Sequence, residues 1–535
     1  MAADPSPVTS TGTTSAIAAP HQKATRAGEA ALRDGGSAID AAIAAAAVLT
    51  VVYPHNVALG GDLIALVRTP DSEIVCINAS GWAPEAVDVD ELRRRYGDTL
   101  PIRGAHTVTV PGGVRGWEAL HRRAGRLDWH RLFEHAIGHA RSGAPVAGSL
   151  ARHLVDPGNA DLRGTEDFDR TFAPGGEPLG LGDALRSPEL ADTLTAIAES
   201  GAQAFYTGPV ADAMVDHLGA HGSALTTADF ADFAVEECAP IATDFGDLTV
   251  VTSPPNTHGF ILLRALRWIA SADTQACADP LATGLGELIA EFADGNGLRA
   301  SVLADPRHAP VDLDVLMRPR VPGTGLGGAI RPSRPLRLPH GDTVGVAAAD
   351  SEGYAVSLIQ SVYHSFGSGL IDPTTGVLFH NRGTAFALDP NSPNVIAPHK
   401  RPVHTLTPAM TITRDGRVRH VPATMGGQGQ GQILGQILAR VSAGETAASA
   451  LAAPRAIVGA QTDGAGTDTI VVERDLAEAA RAALEHTGAP ILEVPPHTED
   501  MGQANLVVIA DDGSMTAATD PRADGEALVL NRVRV

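Results

Sequence analysis

Thr343 begins a β-patterned run in Asp342-Thr343-Val344-Gly345, at the point where a proline- and glycine-rich stretch ends. A threonine hydroxyl is a weak nucleophile until a base stands beside it. A free α-amino group on the same residue supplies one, so an N-terminal threonine can attack a carbonyl and carry an acyl group as an ester. That chemistry would require the chain to be cut between Asp342 and Thr343. Local spacing leaves a second reading open, in which Thr343 is an ordinary β-branched residue opening a strand.

Other chemical signals are weaker. Gly323-x-Gly325-x-x-Gly328 matches a dinucleotide fingerprint by letter but runs into Arg331-Pro332-Ser333-Arg334-Pro335. No helix can begin there and present its N–H groups to a phosphate. The sequence holds no GxxxxGK[ST] and no GxSxG. His135 and His139 stand four apart on a plausible helix, without the glutamate of HExxH and without a third ligand, which reads as a surface or satisfied pair. No metal and no organic cofactor is expected.

The elements that must position this chemistry follow from pattern. Ser37 with Asp40 forms a capping box before an alanine-rich segment that is apolar all round, hence a buried helix. Ile64 to Ile77 reads as strands turning at Pro70-Asp71, and Ser187-Pro188 opens an amphipathic helix that Gly201 ends. Residues 303–341 form an irregular connector rich in proline. Beyond it, hairpins are expected with turns at 350–353, at Asp415-Gly416 and near Asp511-Asp512-Gly513. Residues 1–20, small and polar, read as a disordered tail without the order of a signal peptide.

Composition narrows the partners. With 535 residues, 62 acidic against 40 basic and a net charge of −22, the surface repels phosphate backbones and anionic lipid. Nucleic acid and membrane are therefore not expected, and Ala41 to Tyr53 is too short to span a bilayer, which takes about 20 apolar residues. Cys76, Cys238 and Cys277 form no framework, which suits a reducing, cytoplasmic setting. Length alone suggests three or four domains of roughly 150 residues.

Taken in order, several short motifs resemble the γ-glutamyltransferase family of N-terminal-nucleophile hydrolases. They are 35–42 (Gly-Gly-Ser-Ala-Ile-Asp-Ala-Ala), Tyr53-Pro54-His55, Gly60-Gly61, Val110-Pro111-Gly112-Gly113, Phe205-Tyr206-Thr207-Gly208, Phe366-Gly367-Ser368-Gly369 and Met425-Gly426-Gly427. The resemblance runs from about His21 to the C-terminus. It implies a four-layer αββα sandwich made from one precursor, cut at Asp342–Thr343 into a large subunit (21–342) and a small one (343–535) that stay associated. It also implies Thr343 as nucleophile, Gly426 and Gly427 as the oxyanion hole, and Ser361 in place of a threonine whose hydroxyl bonds the nucleophile's amine.

The departures from the family pattern bear on substrate. The arginine that holds a γ-glutamyl α-carboxylate falls near Ser80, the acidic residue for the α-amino group at Ala385, and the paired serines of the carboxylate pocket at His404-Thr405. The lid segment between Phe386 and Lys400 is short. The stretch 357–364, with Tyr363, and Asn381-Arg382-Gly383 resemble the divergent branch that includes oxamate amidohydrolases and the oxalyl C–C-cleaving homologues of alkylproline biosynthesis. Arg382, His404, Thr405 and Tyr363 are then candidate contacts for a small substrate bearing a carboxylate, although a structural ion pair on Arg382 is equally compatible with the sequence. Two alternatives stand beside this: a conventional γ-glutamyl hydrolase or transferase, and an uncut, non-catalytic scaffold.

Overall fold

The structure, a computed structural model, describes residues 8–271, 279–321 and 341–531. Two seven-stranded sheets face each other. One runs, by strand, Glu526–Leu530, Ser15–Ala19, Gly341–Asp350, Ala355–His364, Asp62–Arg68, Ile74–Ala79 and Glu236–Cys238. The other runs Thr9–Gly12, Met515–Thr519, Ala504–Ile509, Val418–Thr424, Ala409–Thr413, Leu248–Thr252 and Ile241–Phe245. Every pairing within these two sheets is antiparallel.

The period of two along Gly341–Asp350 explains the layering. Val344, Val346 and Ala348 join the core under the helices, while Ala347 and Ala349 join the core between the sheets. The helix Ala38–Val52 covers the first sheet and is buried along its whole length, as an alanine-rich sequence without a polar face requires. Its capping box forms as expected, with Ser37 N–H donating to Asp40 Oδ2 at 2.8 Å. Phe260–Ser271, Leu285–Ser301 and Gln430–Ser442 cover the second sheet through Phe260, Leu263, Leu288, Phe292, Leu434 and Leu438. The fold is thus the four-layer αββα sandwich.

Two expectations change. Residues 9–19 are not a tail: Ser15–Ala19 is fully buried between two strands of the first sheet, and Thr9–Gly12 edges the second. The small residues that suggested disorder are what a strand needs when both faces are covered, Ile17 towards the helices and Ala16 and Ala18 between the sheets. Nor does the chain divide into three or four domains, since each sheet takes strands from both sides of position 342. The Gly323–Gly328 pattern and Cys277 lie outside the described residues.

Candidate active site

Thr343 sits where pairing between two central strands loses register: Asp342 opposes Tyr363 and Val344 opposes Gln360, so two residues, Ser361 and Val362, stand across from one. By alternation Thr343 shares the side of Gly345, Ala347 and Ala349, towards the other sheet. It is 1% exposed, and its hydroxyl donates to Ser361 Oγ at 3.1 Å. Ser361 Oγ also accepts the Tyr363 N–H at 2.7 Å, and Asn56 Nδ2 donates to the Thr343 carbonyl at 3.2 Å.

Gly345 lets the two sheets close on this point. A Cβ there would meet the Ala423 carbonyl carbon and the Thr424 nitrogen at 2.7 Å. Residues 423–424 end a strand that leads directly into Met425-Gly426-Gly427. Gly426, at φ 144°, and Gly427, at φ 50°, turn the backbone into a short 3-10 turn, Gly427–Gly429, ahead of the helix Gln430–Ser442. The first N–H groups of such a turn have no partner within it. The Gly426 carbonyl is tied back by Gln461 Nε2 at 3.1 Å and by the Gly429 N–H at 2.7 Å, which fixes the loop.

Arg382 lies on the other flank. It is 1% exposed, and its guanidinium stacks over the Tyr363 ring, 3.7 Å from the centroid. Tyr363 holds the left-handed φ of 81°, uncommon for a bulky residue, with its N–H on Ser361 Oγ and its ring under Arg382. Arg382 donates to Thr405 Oγ1 at 3.4 Å, while its Nε and one terminal nitrogen have no partner. Burial lowers its pKa to about 10, offset in part by Tyr363 and Asp62. No carboxylate closes an ion pair on it among the described residues. The structural ion pair is therefore not what holds Arg382.

His404 departs from the expected substrate contact. Its Nε2 meets Asp62 Oδ2 at 3.1 Å and its Nδ1 accepts the Leu406 N–H at 3.3 Å, so neither ring nitrogen is left for a ligand. Burial, then the Arg382 charge, hold its pKa down at about 3. The neutral Nε2–H tautomer satisfies both partners. Asp62, fully buried, also accepts the N–H groups of Gly81 at 3.0 Å and Gly112 at 3.3 Å. Burial pushes its carboxyl up, but His380, His404 and Arg382 outweigh that and leave it below the usual range.

Sequence reading missed Asp62, whose only local mark is the preceding Gly60-Gly61. It also missed Arg299, on the helix Leu285–Ser301. Arg299 donates to Gln428 Oε1 at 2.7 Å, one residue past Gly427, and approaches His258 Nδ1 at 3.4 Å. Elsewhere, His135 and His139 lie on the helix Glu134–Ser142, and no group of three or more His, Cys, Asp or Glu could hold a metal among the described residues. No helix there is long and apolar enough to cross a membrane.

Comparison with known proteins gives a consistent set of matches. The gamma-glutamyltranspeptidase family model matches residues 24–530. An oxamate amidohydrolase proenzyme from Klebsiella pneumoniae is 35% identical, over 95% of this chain and 97% of its own length. A glutathione hydrolase-like proenzyme from Bacillus subtilis is 34% identical, over 97% and 98%. Among solved structures, a cephalosporin acylase from Bacillus halodurans superimposes with a TM-score of 0.87 at 30% identity, covering 98% of this chain and 97% of that one.

Proposed function

The chain belongs to the gamma-glutamyltranspeptidase family of hydrolases and acyltransferases, and from that premise we propose a self-processing enzyme that hydrolyses the amide of a small, carboxylate-bearing acid of the oxalyl type. In the precursor, the Thr343 hydroxyl attacks the Asp342 carbonyl. The C–N bond breaks as an ester forms, and water hydrolyses the ester, freeing the Thr343 amine and leaving residues 343–535 as a second subunit. In the mature enzyme that amine accepts the hydroxyl proton as Thr343 attacks the substrate carbonyl, and then passes it to the leaving amine. Water adds to the resulting ester and releases the acid.

Ser361 keeps the threonine's groups oriented, and the N–H groups of Gly426 and Gly427 receive the oxyanion. The observation that carries the substrate assignment is Arg382, buried with two unpaired nitrogens beside Tyr363 and Thr405. A guanidinium out of water without a counter-ion is costly, and a substrate carboxylate next to the scissile carbonyl supplies one in bidentate geometry. His404 then acts through Asp62 as a positioning residue.

The conventional γ-glutamyl reading draws support from the glutathione hydrolase-like relative. Among the described residues it lacks an anionic partner for the substrate's α-ammonium, because Asp62, which acts on Arg382, is already engaged by Gly81, Gly112 and His404. Turnover of oxamate and a γ-glutamyl nitroanilide, compared on the same purified enzyme, separates the two. Oxamate hydrolysis with inertness towards the γ-glutamyl compound is expected; the reverse pattern sinks the oxalyl assignment.

A further inference from the structure

Only three cysteines occur in 535 residues, yet two of them face each other. Cys76 lies on the strand Ile74–Ala79 and Cys238 ends the edge strand Glu236–Cys238. Their antiparallel register sets them directly opposite, although 162 residues separate them in the chain. Directly opposed residues put their side chains on one face of a sheet. Here that face lies between the two sheets, where Cys76 is fully buried and Cys238 packs against the same cluster while keeping partial exposure. The Cys238 thiol donates to the Cys76 carbonyl at 3.8 Å.

Antiparallel partners have Cα atoms about 4.5 or 5.5 Å apart, and a disulfide accepts about 4.4–6.8 Å. A bond between these sulfurs therefore needs side-chain rotation rather than movement of the strands. The edge strand is held in place independently, since Glu236 pairs with Arg401. Immediately beyond Cys238 the chain crosses at Ala239-Pro240 into the second sheet. The two thiols are also unequal. Hydrogen bonding to Cys76 pulls the Cys238 thiol below its ordinary pKa, against burial and the Glu236 charge, while Cys76 is closed off from solvent. A partly exposed, more acidic thiol beside a buried one has the arrangement of an attacking and a resolving cysteine.

We propose that Cys76 and Cys238 are a reversible redox pair, in which hydrogen peroxide oxidises Cys238 and Cys76 closes a disulfide that clips the edge of the first sheet beside the crossover to the second. The Cys238 thiolate attacks one peroxide oxygen, and an S–O bond forms as the O–O bond breaks. The products are a sulfenic acid and, with the proton that Cys238 released, water. The Cys76 sulfur then attacks the sulfenic sulfur, and the hydroxyl leaves as a second water with the Cys76 proton. Two thiols and one peroxide thus give one disulfide and two waters, and a dithiol reductant reverses the bond. Neither cysteine belongs to the acyl site, so the pair stands independently of the oxalyl reading. The bond closes a long loop, which constrains the unfolded chain and stabilises the folded one.

The test exposes the full-length protein to hydrogen peroxide, with non-reducing peptide mapping and thermal unfolding as readouts. A linked peptide pair carrying Cys76 and Cys238 is expected, together with a thermal midpoint raised by about 3 °C or more that dithiothreitol returns to its starting value. Cys76→Ser should stop at a sulfenic acid on Cys238 that dimedone traps, Cys238→Ser should leave Cys76 unoxidised, and Cys277→Ser should link as the wild type does. Peroxide that leaves the pair unlinked, a bond that runs to Cys277 instead, or a linked protein with an unchanged or lower midpoint would overturn the proposal.

Discussion

At the scale of single residues, the proposed chemistry rests on a hydroxyl pair and a buried cation. Thr343 and Ser361 are joined by one 3.1 Å hydrogen bond and come from two adjacent strands whose register slips between them. Thr343→Ala should remain a single uncut chain without turnover. Thr343→Ser, which keeps a hydroxyl on the same atom framework, should still cut; denaturing electrophoresis reads both. Arg382→Gln removes the charge but not the bulk. Leaving a buried carboxylate unpaired costs about 2–5 kcal/mol, so KM for oxamate should rise by a factor of about 30 or more while self-cutting persists. Steady-state kinetics showing an unchanged KM would remove Arg382 from the substrate.

At the scale of elements, close approach is what makes the site, and Gly345 is its clearest mark. Gly345→Ala drives a Cβ into the backbone at 423–424, which is not a flexible side chain that can move aside. The variant should be destabilised by several kcal/mol or fail to bring the glycine loop to Thr343, read as accumulation of uncut precursor and a lowered thermal midpoint. Normal cutting in Gly345→Ala would contradict this packing. The same scale shows what could be read from sequence. The Ser37–Asp40 cap, the alanine helix and the three hairpin turns carry local signals, and each lies where its pattern placed it.

Ser361 was named through the family resemblance, and the hairpin turning at 350–353 brings its hydroxyl beside that of Thr343. The contact of Asp62 with His404 was not legible, since 342 residues separate them and no spacing in the sequence links the two. Arg299 lies on a helix whose pattern reports only the core it covers. The strand Ser15–Ala19 was hidden by composition, because alanine is rare in strands unless both faces are crowded.

At the scale of the whole molecule, the two segments on either side of position 342 are interleaved rather than docked. In one sheet Gly341–Asp350 lies between Ser15–Ala19 and Ala355–His364, and in the other Val418–Thr424 and Leu248–Thr252 flank Ala409–Thr413. After cutting, the fragments should therefore co-elute on gel filtration and part only under denaturant; separation in native buffer would contradict the topology. Acid should loosen the same body. Burial holds His21, His364 and His404 at about 3 and His420 at about 4, against 6.5 when unfolded. Between those values the unfolded chain binds protons that the folded one refuses. Stability from these groups is complete above pH 6.5 and falls as pH drops, by up to about 1.4 kcal/mol per pH unit for each histidine. Thermal midpoints should be level above pH 7 and decline steadily towards pH 4.5; a flat profile would mean that these rings are hydrated.

The catalytic expectations depend on a single covalent event, so the decisive measurement is the intact mass and N-terminal sequence of the purified, catalytically active protein. Two fragments are expected, the smaller beginning Thr343-Val344-Gly345-Val346. A single uncut chain that nevertheless turns over oxamate, or a new terminus at any other residue, would contradict the assignment of Thr343 as the nucleophile.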